Sequence, residues 1–295
     1  MCGIVGLFLK NQDLHPRLGD LLTDMLITMS DRGPDSAGIA IYGDDGDGMK
    51  MTIQSDTPDK TFAGLADDLA ASLGGPVTLR AMDTHAVLTL PEGTAAMAAA
   101  QMDARGIRVM GTGESMEIFK EVGPPRDVAA RFGLRQMGGS HGIGHTRMAT
   151  ESAVTTLGAH PFSTGADQCL VHNGSLSNHN AVRRVLAQKG FIPRTQNDTE
   201  VAACYISSRL AEGANLGEAL EGTLTDLDGF FTFVVGTRNG FGVVRDPVAC
   251  KPAVMAETDD YVAFGSEYRA LANLPGIEGT RVWEPEPATV YFWER

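Results

Sequence analysis

The sequence predicts a layered α+β fold, and three observations carry that expectation. Strand-like patterns gather at both ends of the chain with helical patterns between them, which favours stacked sheets over a doubly wound α/β sheet. Of 295 residues, 43% are apolar and 21% charged, the balance of an ordinary soluble globular chain with a sizeable core. No internal repeat of solenoid length is present.

Taken in order, residues 2–9 read as a buried strand, and Leu18, Leu21, Leu22, Met25, Leu26 and Met29 recur at helical spacing over about 16–30. Asp31-Arg32-Gly33-Pro34-Asp35-Ser36 breaks that helix, residues 36–42 resume a strand, and the Asp/Gly-rich run 43–48 reads as a hairpin tip. The character then changes. Residues 49–137 suggest a small α+β insertion of ferredoxin-like flavour, with helices near 58–73 and 93–104 and strands near 76–90 and 106–122. Strands return at 141–147, 168–172, 230–236, 241–245, 253–256 and 261–265, with turns expected at Asn173-Gly174 and Asn239-Gly240. Helices are expected at 178–189 and 199–212.

Composition excludes several classes. A net charge of −13 repels phosphate backbones and argues against nucleic acid. No apolar run reaches the ~18 residues of a membrane span, and the opening residues lack the basic n-region of a signal peptide. Cys2, Cys169, Cys204 and Cys250 are too scattered for a disulfide framework, so a reducing cytoplasm fits. Cys169, Cys204 and Cys250 lie in apolar surroundings and read as inert buried thiols. His141, His145, His160 and His172 match no zinc spacing, so no metal is expected, and the glycine clusters at 110–113 and 138–142 lack the features of phosphate loops.

Cys2 is the first candidate for chemistry. Removal of Met1 would leave a thiol and a free α-amine on one residue, and an α-amine of pKa ~7.7 to 8.0 can take the thiol proton and return it to a leaving group. Standing alone, it would be a small residue opening a buried strand. Asn173-Gly174 alone would be a hairpin turn, Asp198 a helix first-turn carboxylate and Arg147 a solvated strand-end arginine.

Taken together in chain order, Cys2-Gly3-Ile4-Val5-Gly6, Arg32-Gly33-Pro34-Asp35-Ser36-Ala37-Gly38, His145-Thr146-Arg147, His172-Asn173-Gly174 and Asn197-Asp198-Thr199-Glu200 resemble the class II glutamine amidotransferase domain. A sixth, weaker anchor is Arg245-Asp246-Pro247 through Lys251-Pro252, followed by Phe264-Gly265-Ser266-Glu267-Tyr268-Arg269-Ala270-Leu271. This N-terminal-nucleophile domain occurs in glutamate synthase, amidophosphoribosyltransferase, glucosamine-6-phosphate synthase and asparagine synthetase. The resemblance implies a four-layer αββα sandwich of mainly antiparallel sheets spanning 1–295, with the 49–137 insertion inside it.

It also implies roles. Cys2 would attack the glutamine carboxamide to form a thioester and release ammonia, and Asn173 with the Gly174 N–H would form the oxyanion hole. Arg147 would hold the substrate α-carboxylate, Asp198 its α-ammonium, and Thr150 would contact substrate. Arg32 would organise the loop above the nucleophile. Met148 and Glu151 depart from the sugar-phosphate members, which carry Trp and His there. The known members append a synthase domain, whereas this sequence ends at Arg295 soon after the last anchor. The implied organisation is a stand-alone glutaminase subunit of a glutamate-synthase-like or N-methylglutamate synthase-type complex. Ammonia then needs a docked synthase partner, where any flavin and iron–sulfur cluster would reside, since no motif for either exists here. Two rivals stand beside this reading: a stand-alone amidohydrolase acting on another amide, which would not need both Arg147 and Asp198, and a non-catalytic scaffold that retains Met1.

Overall fold

A computed structural model describes residues 2–43, 48–149 and 153–295. Met1, Thr150, Glu151 and most of the expected 43–48 hairpin tip therefore lie outside the described residues.

The chain opens with β1 (Gly3–Leu9), α1 (Leu18–Thr28) and β2 (Ser36–Tyr42). Next come β3 (Met49–Gln54), α2 (Pro58–Phe62), α3 (Leu65–Leu73), β4 (Thr78–Met82), β5 (His85–Leu90), α4 (Ala95–Ala104) and β6 (Arg108–Gly113). The single helix expected near 58–73 is two, because Gly64 takes a left-handed φ of 70° and ends the first. Then follow β7 (Met116–Val122), α5 (Pro125–Arg131), β8 (His141–Arg147), β9 (Phe162–Gly165) and β10 (Gln168–Leu176). Helices α6 (His179–Gln188), α7 (Asp198–Ala211) and α8 (Leu216–Asp226) lead to β11 (Gly229–Gly236), β12 (Gly240–Arg245), β13 (Val254–Glu257), β14 (Tyr261–Gly265), β15 (Val282–Trp283) and β16 (Thr289–Glu294).

Two sheets form the body. The first has the order β15-β13-β14-β1-β8-β2-β7 and the second β16-β12-β11-β10-β9, with antiparallel pairing throughout the described ladders. Strand β1 is buried on both faces, and its period of two sorts its side chains. Val5, Leu7 and Leu9 meet α1. Ile4 and Phe8 face Val171, Val234 and Phe241 of the second sheet. On that sheet's outer face, Leu170, Phe231 and Val244 pack under α7 and α8. Helix layer, sheet, sheet and helix layer make the α+β sandwich that the resemblance implied.

Strands β3–β6 form a separate sheet in the order β4-β5-β3-β6, and with α3 and α4 they enclose their own core. This βαββαβ arrangement is ferredoxin-like. It occupies 49–113, shorter than the expected 49–137, because β7 joins the first sheet beside β2 and α5 packs next to α1. No helix among the described residues is long and apolar enough to cross a membrane.

Two other expectations are corrected. Asn173-Gly174 is not a turn: β10 runs through both, pairing Asn173 with Thr232 and Gly174 with Phe231 of β11. Cys250 is exposed, unlike buried Cys169 and Cys204, whose thiols burial pushes up to about 12 and about 11. The Asn239-Gly240 turn is present, closed by bonds between Thr237 and Gly240.

Candidate active site

Cys2 sits immediately before β1, at the centre of the seven-stranded sheet, where Gly3 pairs with Thr146 of β8. Its residue is pinned from several sides. Arg32 Nε donates to the Cys2 carbonyl at 2.9 Å and Asn173 Nδ2 donates to the same oxygen at 3.2 Å. Two residues further, Ser266 and Ile4 exchange hydrogen bonds of 2.9 Å. Arg32 is itself fixed by Glu267 at 2.6 Å, and its hydrogen bond, aided by Arg269, holds the carboxyl of Glu267 below the usual range.

The loop after Arg32 clamps the end of β8. A Cβ on Gly33 would lie 2.3 Å from the Thr146 carbonyl carbon and 2.4 Å from the Arg147 nitrogen, so only glycine permits this approach. Asp35 accepts from the Ala149 N–H at 2.8 Å, and its own N–H donates to the Arg147 carbonyl. Arg147 is 8% exposed, with a terminal nitrogen 3.4 Å from the Ala153 carbonyl.

From the second sheet, β10 delivers Asn173 and Gly174. Gly174 has φ 152°, an extended conformation that L-residues avoid. The two-residue period puts its N–H on the same edge as that of Leu176, which donates to Asp198 Oδ2 at 2.9 Å. Asp198 opens α7 behind Asn197, whose side chain caps the helix by accepting from the Thr199 N–H. The Thr199 hydroxyl bridges His160 Nε2 at 2.8 Å and His172 Nδ1 at 2.9 Å. His145 Nε2 donates to the His172 carbonyl, and its ring stacks on His160. Burial holds these imidazoles neutral, pushing His145 down to about 3 and His172 to about 4, with Asp198 opposing the latter.

Cys2, Arg147, Asn173, Gly174 and Asp198 thus line one cleft of about 800 Å³. Arg32 does not line it and reaches the Cys2 carbonyl from behind; Thr150 lies outside the described residues. Glu267 and Thr199 lie within the motifs, but nothing local in the sequence shows that one pairs with Arg32 and the other bridges two histidines. The arrangement places a thiol, a neutral amide donor, a cation and a carboxylate around a space fit for a small amino acid.

Comparisons with known proteins show similarity to glutamine amidotransferases. The glutamine amidotransferase domain family matches residues 145–273. The chain is 67% identical to the glutamine amidotransferase-like protein GlxB of Rhizobium meliloti (strain 1021), over 100% of this chain and 98% of that protein. It is 33% identical to the glutamine–fructose-6-phosphate aminotransferase of Vibrio vulnificus (strain YJ016), over 46% of this chain and 22% of the relative. The glutamine phosphoribosylpyrophosphate amidotransferase of B. subtilis shares the fold, with a TM-score of 0.63 at 19% identity, covering 99% of this chain and 47% of that one.

Proposed function

The chain belongs to the glutamine amidotransferase-like family, and from that premise we propose that it is a class II glutaminase subunit that uses Cys2 as its nucleophile and passes ammonia to a synthase. With Met1 removed, the α-amine of Cys2 takes the thiol proton. The sulfur then bonds to the glutamine side-chain carbon while the Asn173 amide and the Gly174 N–H receive the developing oxyanion. The amine returns the proton to the leaving nitrogen, the C–N bond breaks and ammonia departs. Water then cleaves the thioester to give glutamate. Arg147 receives the substrate α-carboxylate and Asp198 the α-ammonium, a pair that distinguishes free glutamine from a simple amide.

The observation that carries this reading is the convergence in one cleft of Cys2, Arg147, Asn173, Gly174 and Asp198, brought from four separate elements. The ammonia acceptor is proposed to be a separate glutamate-synthase-like subunit in the cytoplasm that carries any flavin and iron–sulfur cluster itself. A partner is required because ammonia released into water is protonated and lost.

The test is the intact mass of the purified chain before and after incubation with a diazo-ketone analogue of glutamine, followed by peptide mapping. Loss of Met1 and one adduct on Cys2 is the expected result. A retained Met1 without an adduct would support the scaffold instead. Processed Cys2 that reacts equally with analogues lacking the α-ammonium would support a different amide substrate.

A further inference from the structure

Behind the cleft lies a second cavity of about 690 Å³, between the satellite sheet and the helical layer. Leu157, Arg194 and Thr195 line both spaces, so two short segments of irregular backbone form a common wall. Each segment is gripped by one buried ionisable side chain, and burial pushes the Lys120 ammonium down to about 7 while Glu200 opposes the shift. Lys120 on β7, 3% exposed, donates from Nζ to the carbonyls of Ala159 at 2.8 Å, Pro161 at 3.1 Å and Leu157 at 3.4 Å. Glu200 on α7, 6% exposed, accepts from the N–H groups of Arg194 at 2.9 Å and Thr195 at 2.6 Å, and from the Thr195 hydroxyl at 2.6 Å.

Lys120 and Glu200 line the rear cavity and not the cleft. The segments they hold do face the cleft, through Gly158 and His160 on one side and Arg194 to Asp198 on the other. All three ammonium donors find carbonyls, and the carboxylate meets three donors. Charge-assisted bonds of this kind are roughly twice as strong as neutral ones, and they fix backbone that no ladder holds. Because both charges are spent on this wall, the rear cavity presents neither as an open ligand site.

We infer that Lys120 and Glu200 are positioning residues that set the grip of the cleft on its amino-acid substrate from behind the wall. The inference rests on the glutamine reading of the cleft. It separates two functions. Cys2 is held by Arg32 and Asn173, and neither Lys120 nor Glu200 touches that set, so loosening the wall weakens substrate binding and leaves the reactivity of the thiol in place.

Saturation kinetics of Cys2 alkylation by the diazo-ketone analogue test this on the full processed chain, with iodoacetamide as a thiol probe that needs no amino-acid grip. Glu200→Gln keeps the volume but removes the charge and puts an amide donor in place of one carboxylate oxygen, against the N–H of Arg194 or of Thr195. The expected result is a roughly ten-fold rise in the half-saturating concentration, the equivalent of one charge-assisted bond. The limiting rate and the iodoacetamide rate stay within about two-fold of wild type. Lys120→Met gives the same split through the other segment. If thermal unfolding shows either variant misfolded, Thr195→Val, which deletes one donor to Glu200, gives the split with smaller amplitude. Unchanged half-saturation in folded variants overturns the inference, and so does a parallel loss of iodoacetamide reactivity, which marks a merely structural role. Wild-type chain that shows no saturation with the analogue while iodoacetamide modifies Cys2 overturns the glutamine reading itself, and the inference with it.

Discussion

Gly174→Ala joins the fold to the site in one substitution. An alanine Cβ there would lie 2.0 Å from the Phe230 carbonyl oxygen, about 1.4 Å short of ordinary contact, and 2.8 Å from the Phe231 Cα. Both are backbone atoms of the paired strand, so no side chain can swing away, and β10 and β11 must part. The φ of 152° adds a conformational cost of ~1 to 3 kcal/mol, and overpacking a further ~1 to 3 kcal/mol. Gly190→Ala is the matched control. Its φ is 87°, but nothing lies within 4 Å of the added carbon, so only the conformational part applies, ~1 to 2 kcal/mol. At ~2 to 4 °C per kcal/mol for a chain of this size class, the control loses a few degrees of Tm and Gly174→Ala roughly twice as much or more. Calorimetry of both variants measures the difference, and alkylation of Cys2 by the diazo-ketone analogue measures the oxyanion edge. Equal Tm values, or undiminished alkylation in Gly174→Ala, would refute the argument that this backbone contact is both structural and catalytic.

Other expectations follow from the same contacts. Arg32→Gln removes the bond to the Cys2 carbonyl and the pair with Glu267; the limiting alkylation rate should fall roughly ten-fold or more with half-saturation little changed, and the opposite split would sink the assignment. Asp198→Asn keeps an acceptor for the Leu176 N–H but loses the charge, so half-saturation by the analogue should rise at least about ten-fold while iodoacetamide reactivity is unchanged. Buried histidines make the fold acid-sensitive: His85, His141 and His145 are pushed down to about 3 and His172 to about 4. The unfolded chain takes up these protons below ~6.5 and the folded chain does not, so stability is full above that pH and is lost as pH falls toward 4, by up to ~1.4 kcal/mol per histidine per unit. Urea midpoints at pH 7.5 and 5.5 check this, and equal midpoints would remove burial as the cause.

The layered fold was legible because local pattern and long-range packing agree there. Ile4 and Phe8 alternate with Val5 and Leu7 as a strand buried on both faces requires, and α1 shows its apolar side at helical spacing. The dipeptide at 173–174 misled because Asn-Gly statistics favour a turn, whereas the partner that keeps β10 extended lies more than fifty residues away, at Thr232 and Phe231. Helix α8 went unrecognised although its capping box, Asn215 with Glu218, is written in the sequence. Cys250 sits in an apolar stretch that the fold leaves on an exposed loop. Of the candidate site, the residues that would touch substrate were named because they fall in motifs. Lys120 was not, since its partners lie 37 to 41 positions away and are carbonyls, which no side-chain pattern records. Glu200 closes the Asn197-Asp198-Thr199-Glu200 motif with no role assigned to it, and its work is done on the residues before the helix.

The division of labour has a physical reason. A nucleophile on the residue before a strand would fray if that strand lay at a sheet edge. Here β1 is central, flanked by β14 and β8, and the carbonyl of Cys2 is held by one donor from each half of the molecule, Arg32 beside the first sheet and Asn173 from the second. Parting the two sheets would therefore move the nucleophile away from the oxyanion edge. The substrate grip is built differently, on segments without ladders, where buried charges supply the stiffness that backbone pairing cannot. On the proposed reading, reactivity is tied to the sandwich interface and binding to the wall behind the cleft. That is why changes at Arg32 and at Glu200 should separate the limiting rate from half-saturation in opposite directions.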